Sequence, residues 1–126
     1  IGNKMKKLIC HCGEVKLEIK ESEGALNKFL RCNCTLCKKK GYIMTFAPIT
    51  DVKIKKGEDK LKLYQYHTKV AEHYFCSECG IYTHHKMRSR PDTFGLNVGC
   101  IDDIDQFKLE NVGLNDGQNH PMDQKK

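Results

Sequence analysis

Residues 71 to 87 read AEHYFCSECGIYTHHKM. Two β-favouring runs, AEHYFC and IYTHHKM, flank the segment Cys76-Ser77-Glu78-Cys79-Gly80, and that order predicts a hairpin whose turn carries two thiols. Alternation rather than helical period continues outward from it. VKLEIK at 15–20 sets Val15, Leu17 and Ile19 against Lys16, Glu18 and Lys20, the pattern of a half-buried strand. LKLYQYH at 61–67 alternates with bulk on both faces, YIMTFAP at 42–48 is a continuous β-favouring run closed by proline, and FGLNVG near residue 96 adds another strand. Turn signals separate these runs at Glu23-Gly24, Lys56-Gly57-Glu58-Asp59, Arg90-Pro91-Asp92 and Asn115-Asp116-Gly117. Only Asp102 to Phe107 resembles a helical turn, with Asp102 as cap and Asp103 suited to the positive end of the dipole. The expected class is mostly β.

A chain of 126 residues is one domain by length and buries roughly 65–70% of its unfolded surface. With no Trp and 30% charged residues, its core needs supplementary staples. Ile1 to Lys4 precede Met5 and are set aside as a remnant, residues 121–126 form a polar tail, and 5–120 is the expected domain. No stretch approaches the roughly 18 apolar residues of a membrane helix.

The staples are eight cysteines, and their spacing decides their use. Cys10 and Cys12 are one residue apart, as are Cys32 and Cys34, with Cys37 two residues further on and Cys76 followed by Cys79. Thiols this crowded converge on a metal more readily than they form distant disulfides, and no signal-peptide core precedes them, so the expected setting is a reducing cytoplasm with zinc. Cys10-His11-Cys12-Gly13 and Cys76 to Gly80 read as two halves of one Cys₄ site, each ending in a glycine that permits a left-handed backbone. Cys32, Cys34 and Cys37 then form a tripod with one position left over, the arrangement of catalytic zinc. Cys100 could complete a second closed site, or be a small buried hydrophobe or a redox thiol; His11 reads as solvent-facing. The formal charge of +6 shrinks to about +3 when seven thiolates are set against two Zn²⁺, enough to favour a small anion but too diffuse to demand nucleic acid.

CHCGEV at 10–15, RCNCTLC at 31–37, HYFCSECG at 73–80, LNVGCID at 96–102 and NDGQNH at 115–120 together resemble the glutathione-dependent formaldehyde-activating enzyme family, whose domain is shared with centromere protein V. The resemblance spans residues 10 to about 120. It implies an Mss4-like fold of several small twisted antiparallel sheets around zinc sites, a structural zinc on Cys10, Cys12, Cys76 and Cys79, and a catalytic zinc on Cys32, Cys34 and Cys37. The implied activity is condensation of formaldehyde with glutathione to S-hydroxymethylglutathione, a carbon–sulfur lyase reaction in reverse. The chain departs from many relatives in being short and in placing His120 where they have Trp.

Lys38, Lys39 and Lys40, directly after the tripod, and Arg88 and Arg90 before Pro91 are candidate partners for glutathione carboxylates, although such runs are more often solvated loops. His84 and His85 are expected on opposite faces of a strand, with a surface histidine as the default for one of them and for His67 and His73. Asn97 and Asp102 are expected to make structural hydrogen bonds. A rival reading makes both metals structural in a protein- or nucleic-acid-binding module with CKKKGY and KMRSRP as phosphate edges; another is a thiol oxidoreductase built on Cys100.

Overall fold

The structure is a computed structural model that describes residues 5–21, 26–66, 69–87 and 90–115. Its elements are β1 (Met5–Ile9), β2 (Lys16–Lys20), β3 (Phe29–Cys32), α1 (Thr35–Lys40), β4 (Met44–Pro48), β5 (Val52–Lys56), β6 (Leu61–Tyr64), β7 (Glu72–Cys76), β8 (Tyr82–Lys86), β9 (Thr93–Asn97) and β10 (Val112–Asn115). The chain is mostly β, as expected. A three-stranded sheet runs β1-β2-β5 and a seven-stranded sheet runs β10-β3-β4-β9-β8-β7-β6.

The predicted hairpin is β7–β8, and the alternation of 15–20 becomes β2, with Leu17 and Ile19 buried and Lys16 and Lys20 exposed. Four strands were not among those expected: β1, β3, β5 and β10. The large sheet is antiparallel except where β10 lies parallel to β3, pairing Asn115 with Cys32. The helical turn is also displaced from its expected place. Asp105, not Asp102, caps a 3₁₀ turn at Gln106–Lys108, while Asp103 forms an ion pair with Lys6 at 3.1 Å. The α-helix is α1, whose N-cap is Cys34: its sulfur accepts the Cys37 amide at 3.3 Å, a role usually taken by oxygen, and Gly41 closes the other end at φ 62°.

β4 lies inside the large sheet with Met44, Thr45, Phe46 and Ala47 all buried, so the sheet is covered on both sides. On one face Ala47, Leu96 and Cys76 join Leu8, Val15, Leu17 and Ile19 from the small sheet's region. On the other, Met44 and Phe46 join Cys37, Tyr42 and Tyr82. The two cores therefore separate the two cysteine groups.

One irregularity in β8 governs what the second face presents. Tyr74 pairs with His84 and Phe75 with Tyr82, which leaves Thr83 as an extra residue without a partner on β7. Such a bulge breaks the two-residue period. Tyr82 and His85, three apart, consequently turn to the same face, where strict alternation would oppose them.

Candidate metal centres

The first cluster is built by two similar turns. In each, the amide of the leading cysteine is tied into its own turn, Cys10 N to the Val15 carbonyl at 3.1 Å and Cys76 N to the Ile81 carbonyl at 2.9 Å. Gly13 at φ 82° and Gly80 at φ 78° follow the second thiol of each pair. An L side chain resists that conformation, which explains why glycine stands there. The turns aim amides at sulfur: Val15 N donates to Cys10 Sγ at 3.3 Å.

All four sulfurs of Cys10, Cys12, Cys76 and Cys79 lie within 4.8 Å of one another. Cys10 to Cys12 is 3.6 Å and Cys12 to Cys76 is 3.7 Å. A tetrahedron with metal–sulfur bonds of about 2.3 Å has sulfur–sulfur edges of about 3.8 Å, whereas a disulfide needs about 2.05 Å. These residues fit a metal ion and not a bridge. Against the lowering effect of the Glu14 amide, desolvation and the thiols of Cys10, Cys76 and Cys79 push Cys12 up to about 12. Burial opposes the ionisation of Cys79, yet the amides of Cys12 and Ile81 and the neighbouring sulfurs bring it down to about 6. Crowded thiols thus divide their protons unequally, and a cation removes the conflict.

The second cluster brings Cys32, at the end of β3, together with Cys34 and Cys37 at the start of α1, again with sulfurs within 4.8 Å of one another. No further His, Cys, Asp or Glu joins them among the described residues. Hydrogen bonding from Cys32 and Cys37 holds Cys34 far below the ordinary thiol value, while Cys32 and Cys34 push Cys37 far above it. Cys100, the residue that could have closed this shell, belongs to the other core. It is buried beside the first cluster, its Sγ donates to the Tyr82 carbonyl at 3.8 Å, and burial followed by Cys10 and Cys79 pushes it up to about 12. That is the small-hydrophobe role.

Around the tripod stands a wall of side chains that spacing did not reveal. Tyr66 Oη donates to Cys34 Sγ at 3.8 Å and Asn115 Nδ2 to Cys32 Sγ at 3.6 Å. The Tyr42 hydroxyl lies 3.8 Å from Cys37 Sγ and donates to Tyr82 Oη at 3.2 Å, and both tyrosine hydroxyls meet His85 Nδ1. His85 stacks on His73 with centroids 5.4 Å apart. It fits because Gly95 faces it across β8–β9: a Cβ there would stand 2.7 Å from both ring nitrogens. Burial, then His73 and Lys40, pulls His85 down to about 3, so the ring is neutral at neutral pH.

His84 and His85 lie on opposite faces, as expected, beside Phe94 and beside Tyr42 and Tyr82 respectively, but the surface-histidine expectation is corrected. His73, His84 and His85 are all buried, because the bulge and the stacked rings give each a place in a packed face; His84 lies between Tyr74 at 4.8 Å and Phe94 at 5.0 Å. His67 and Arg88 lie outside the described residues, as does His120. His11 is exposed, as expected, and so are Lys38, Lys39 and Arg90. Lys40 is the lysine of the run that turns inward, its ammonium 3.2 Å from the Tyr82 ring centroid. Asn97 has the structural part expected of it, donating to the Tyr82 carbonyl at 2.8 Å and accepting the Gly99 amide at 3.1 Å.

A mostly β frame with two thiol clusters, each spaced to hold a metal ion, defines the class: a cysteine-rich domain built around candidate metal centres. The chain belongs to the glutathione-dependent formaldehyde-activating enzyme family, whose family model matches residues 5–112. It is also similar to a Rhodobacter sphaeroides protein of known crystal structure, 38% identical, with a TM-score of 0.81 over 86% of this chain and 99% of that one. Among the described residues no helix is long and apolar enough to cross a membrane.

Proposed function

We propose that this chain is a zinc-dependent enzyme that makes and breaks the carbon–sulfur bond between a thiol, glutathione foremost, and formaldehyde or a related aldehyde. Read toward free aldehyde it is a carbon–sulfur lyase reaction. The observation that carries the reading is the tripod of Cys32, Cys34 and Cys37, to which the described residues add no fourth ligand. The family supplies the substrate class. In this reading zinc occupies both clusters, two ions per chain, with the set of Cys10, Cys12, Cys76 and Cys79 structural and the tripod catalytic. Residues 5–120 form the working domain. Eight unpaired cysteines suit a reducing compartment, and we assign the cytoplasm.

Zinc, when bound, lowers the pKa of a thiol that enters an open position. In the reaction the thiol sulfur bonds to the carbonyl carbon, the carbonyl π bond opens, and the thiol proton ends on the oxygen. The chain's own contribution is placement. Tyr66 and Asn115 fix the sulfurs of Cys34 and Cys32, and Tyr42, braced by Tyr82 and His85, fixes that of Cys37. The packed rings of Tyr42, Tyr82 and His85 exclude water from that side. Lys38, Lys39 and Arg88 are the cations assigned to glutathione carboxylates. Thiols add to formaldehyde unaided, so holding and releasing the adduct matters more than lowering a high barrier, and carrier behaviour is a variant of the same function.

Elemental analysis should find two zinc ions per chain, one quickly removed by chelator and one retained. A single tightly held zinc in fully loaded protein would sink the proposal. Zinc-edge X-ray absorption with and without glutathione should show one additional sulfur in the average shell of the labile ion; an unchanged sulfur count would argue for another substrate.

A further inference from the structure

The three lysines after the tripod are chemically alike, and the fold treats them differently. Lys38 and Lys39 are exposed, whereas Lys40 is partly buried with its ammonium over the Tyr82 ring at 3.2 Å from the centroid. That ring is tied at its hydroxyl and backed by a packed imidazole. Its hydroxyl meets His85 Nδ1, it accepts from Tyr42 at 3.2 Å, and the imidazole bracing it lies over the missing Cβ of Gly95. Lys40 is therefore a cation held on an aromatic platform, three residues after Cys37 on the same helix and connected to its sulfur through Tyr82 and Tyr42. The four-thiol cluster has nothing comparable: its described partners are backbone amides and other thiols.

We propose that Lys40, seated on Tyr82, is the specificity-determining residue that makes the open position of the tripod favour an anionic sulfur ligand over a neutral one. The inference rests on reading the tripod as a metal centre that accepts a substrate thiol. Three thiolates outweigh a divalent cation by one charge, and a fourth anionic ligand adds another, so a nearby fixed cation offsets charge that water or imidazole would not bring. Lys38 and Lys39 are left to contact the distal parts of the substrate. Desolvation of Lys40, opposed by the two sulfurs, brings its ammonium down to about 8, in keeping with a cation removed from bulk water. Tyr82, His85 and Gly95 act through Lys40 and are positioning residues.

The test uses the full chain loaded with Co²⁺, whose thiolate charge-transfer absorption counts sulfur ligands. Wild type, Lys40→Met, Lys40→Arg and Gly95→Ala are titrated at pH 7 with 2-mercaptoethanol, a thiol without carboxylates, and separately with imidazole. Lys40→Met should bind the thiol about tenfold more weakly, the smallest effect expected for loss of a nearby opposite charge. Its imidazole affinity should not change. Lys40→Arg should stay within about threefold of wild type, and Gly95→Ala should move in the direction of Lys40→Met. The absorption of the four-thiol site reports folding in each variant. Wild-type thiol affinity in Lys40→Met, or equal losses for thiol and imidazole, would overturn the role of Lys40 and leave the proposed function standing. A wild-type chain that takes up one cobalt ion only, or gains no sulfur absorption with thiol, would overturn the metal-centre reading and this role together.

Discussion

The two cysteine clusters meet the same electrostatic problem with different materials. At Cys10, Cys12, Cys76 and Cys79 the donors to sulfur are main-chain amides, from Val15, from Glu14, and from Cys12 and Ile81. They come with the turn itself. At Cys32, Cys34 and Cys37 one amide donor serves Cys34, and the rest of the support comes from Tyr66, Asn115, Tyr42 and Lys40. Side chains can rotate, be replaced and be tuned singly, whereas a backbone amide persists under most substitutions. On the proposed two-zinc reading, this contrast suits the first cluster to permanence and the second to exchange, on opposite faces of one sheet.

The largest test of that contrast removes one ligand from each. On the proposed reading that zinc fills this cluster, Cys76→Ser should abolish cooperative folding, because a structural zinc contributes on the order of 10 kcal/mol against a total stability of about 5–15 kcal/mol. Cys37→Ser should leave a folded chain that has lost one metal equivalent. Circular dichroism melts together with metal content would check both, and two variants that unfold alike would erase the distinction.

The clusters were legible because their thiols come in close pairs or a triplet and the two pairs share one glycine-ended pattern; the hairpin and the alternating β2 were legible too, as local signals. The wall beside the tripod was not. Strict alternation assigns Tyr82 and His85 to opposite faces, and the bulge at Thr83 that unites them leaves no mark in the residues themselves. Asn115 reaches Cys32 through a parallel pairing 83 residues apart in sequence, and non-local pairing has no short-range signature. β5 reads VKIKK, an alternation like that of β2 though not among the expected strands, and its Val52 and Ile54 pair with Ile19 and Leu17. Gly95 was the one faint clue: glycine inside a strand often marks a close approach, and here it admits the imidazole.

Both faces also bury histidines, His84 on the side of the closed cluster and His85 beside the tripod, and acid should destabilise each. Burial pulls His84 down to about 4, while the unfolded chain's histidine titrates near 6.5. Its contribution is thus fully present above about pH 6.5 and is lost as pH falls toward 4, about 1.4 kcal/mol per unit and about 3 kcal/mol in all. Urea unfolding of wild type and His84→Gln across that window should give a visibly flatter profile for the variant. Parallel profiles would mean that His84 adds nothing to acid lability, leaving it to His85 and the thiols. On the tripod face, Gly95→Ala should cost about 1–3 kcal/mol through overpacking against His85, read as a lower urea midpoint. An unchanged midpoint would show that the ring has room to move.

The smallest expected effect probes the contrast most finely. Asn115→Ala removes the amide that donates to Cys32 Sγ at 3.6 Å, at an exposed site on the sheet's edge strand. Its fold contribution is slight, because neither partner is deeply buried, so the melting temperature should stay close to wild type. The sulfur it leaves is less stabilised as an anion, and loss of such a partner typically weakens metal binding about tenfold. Zinc competition with a chelator should therefore show the labile ion released about tenfold more readily and the retained ion unaffected. Substitution of Val15 provides the matching control at the other cluster: its amide reaches Cys10 Sγ from the backbone, so Val15→Ala removes apolar packing but not the donor. If Asn115→Ala and Val15→Ala shift the affinities of their own clusters equally, the division between backbone and side-chain support has no functional weight.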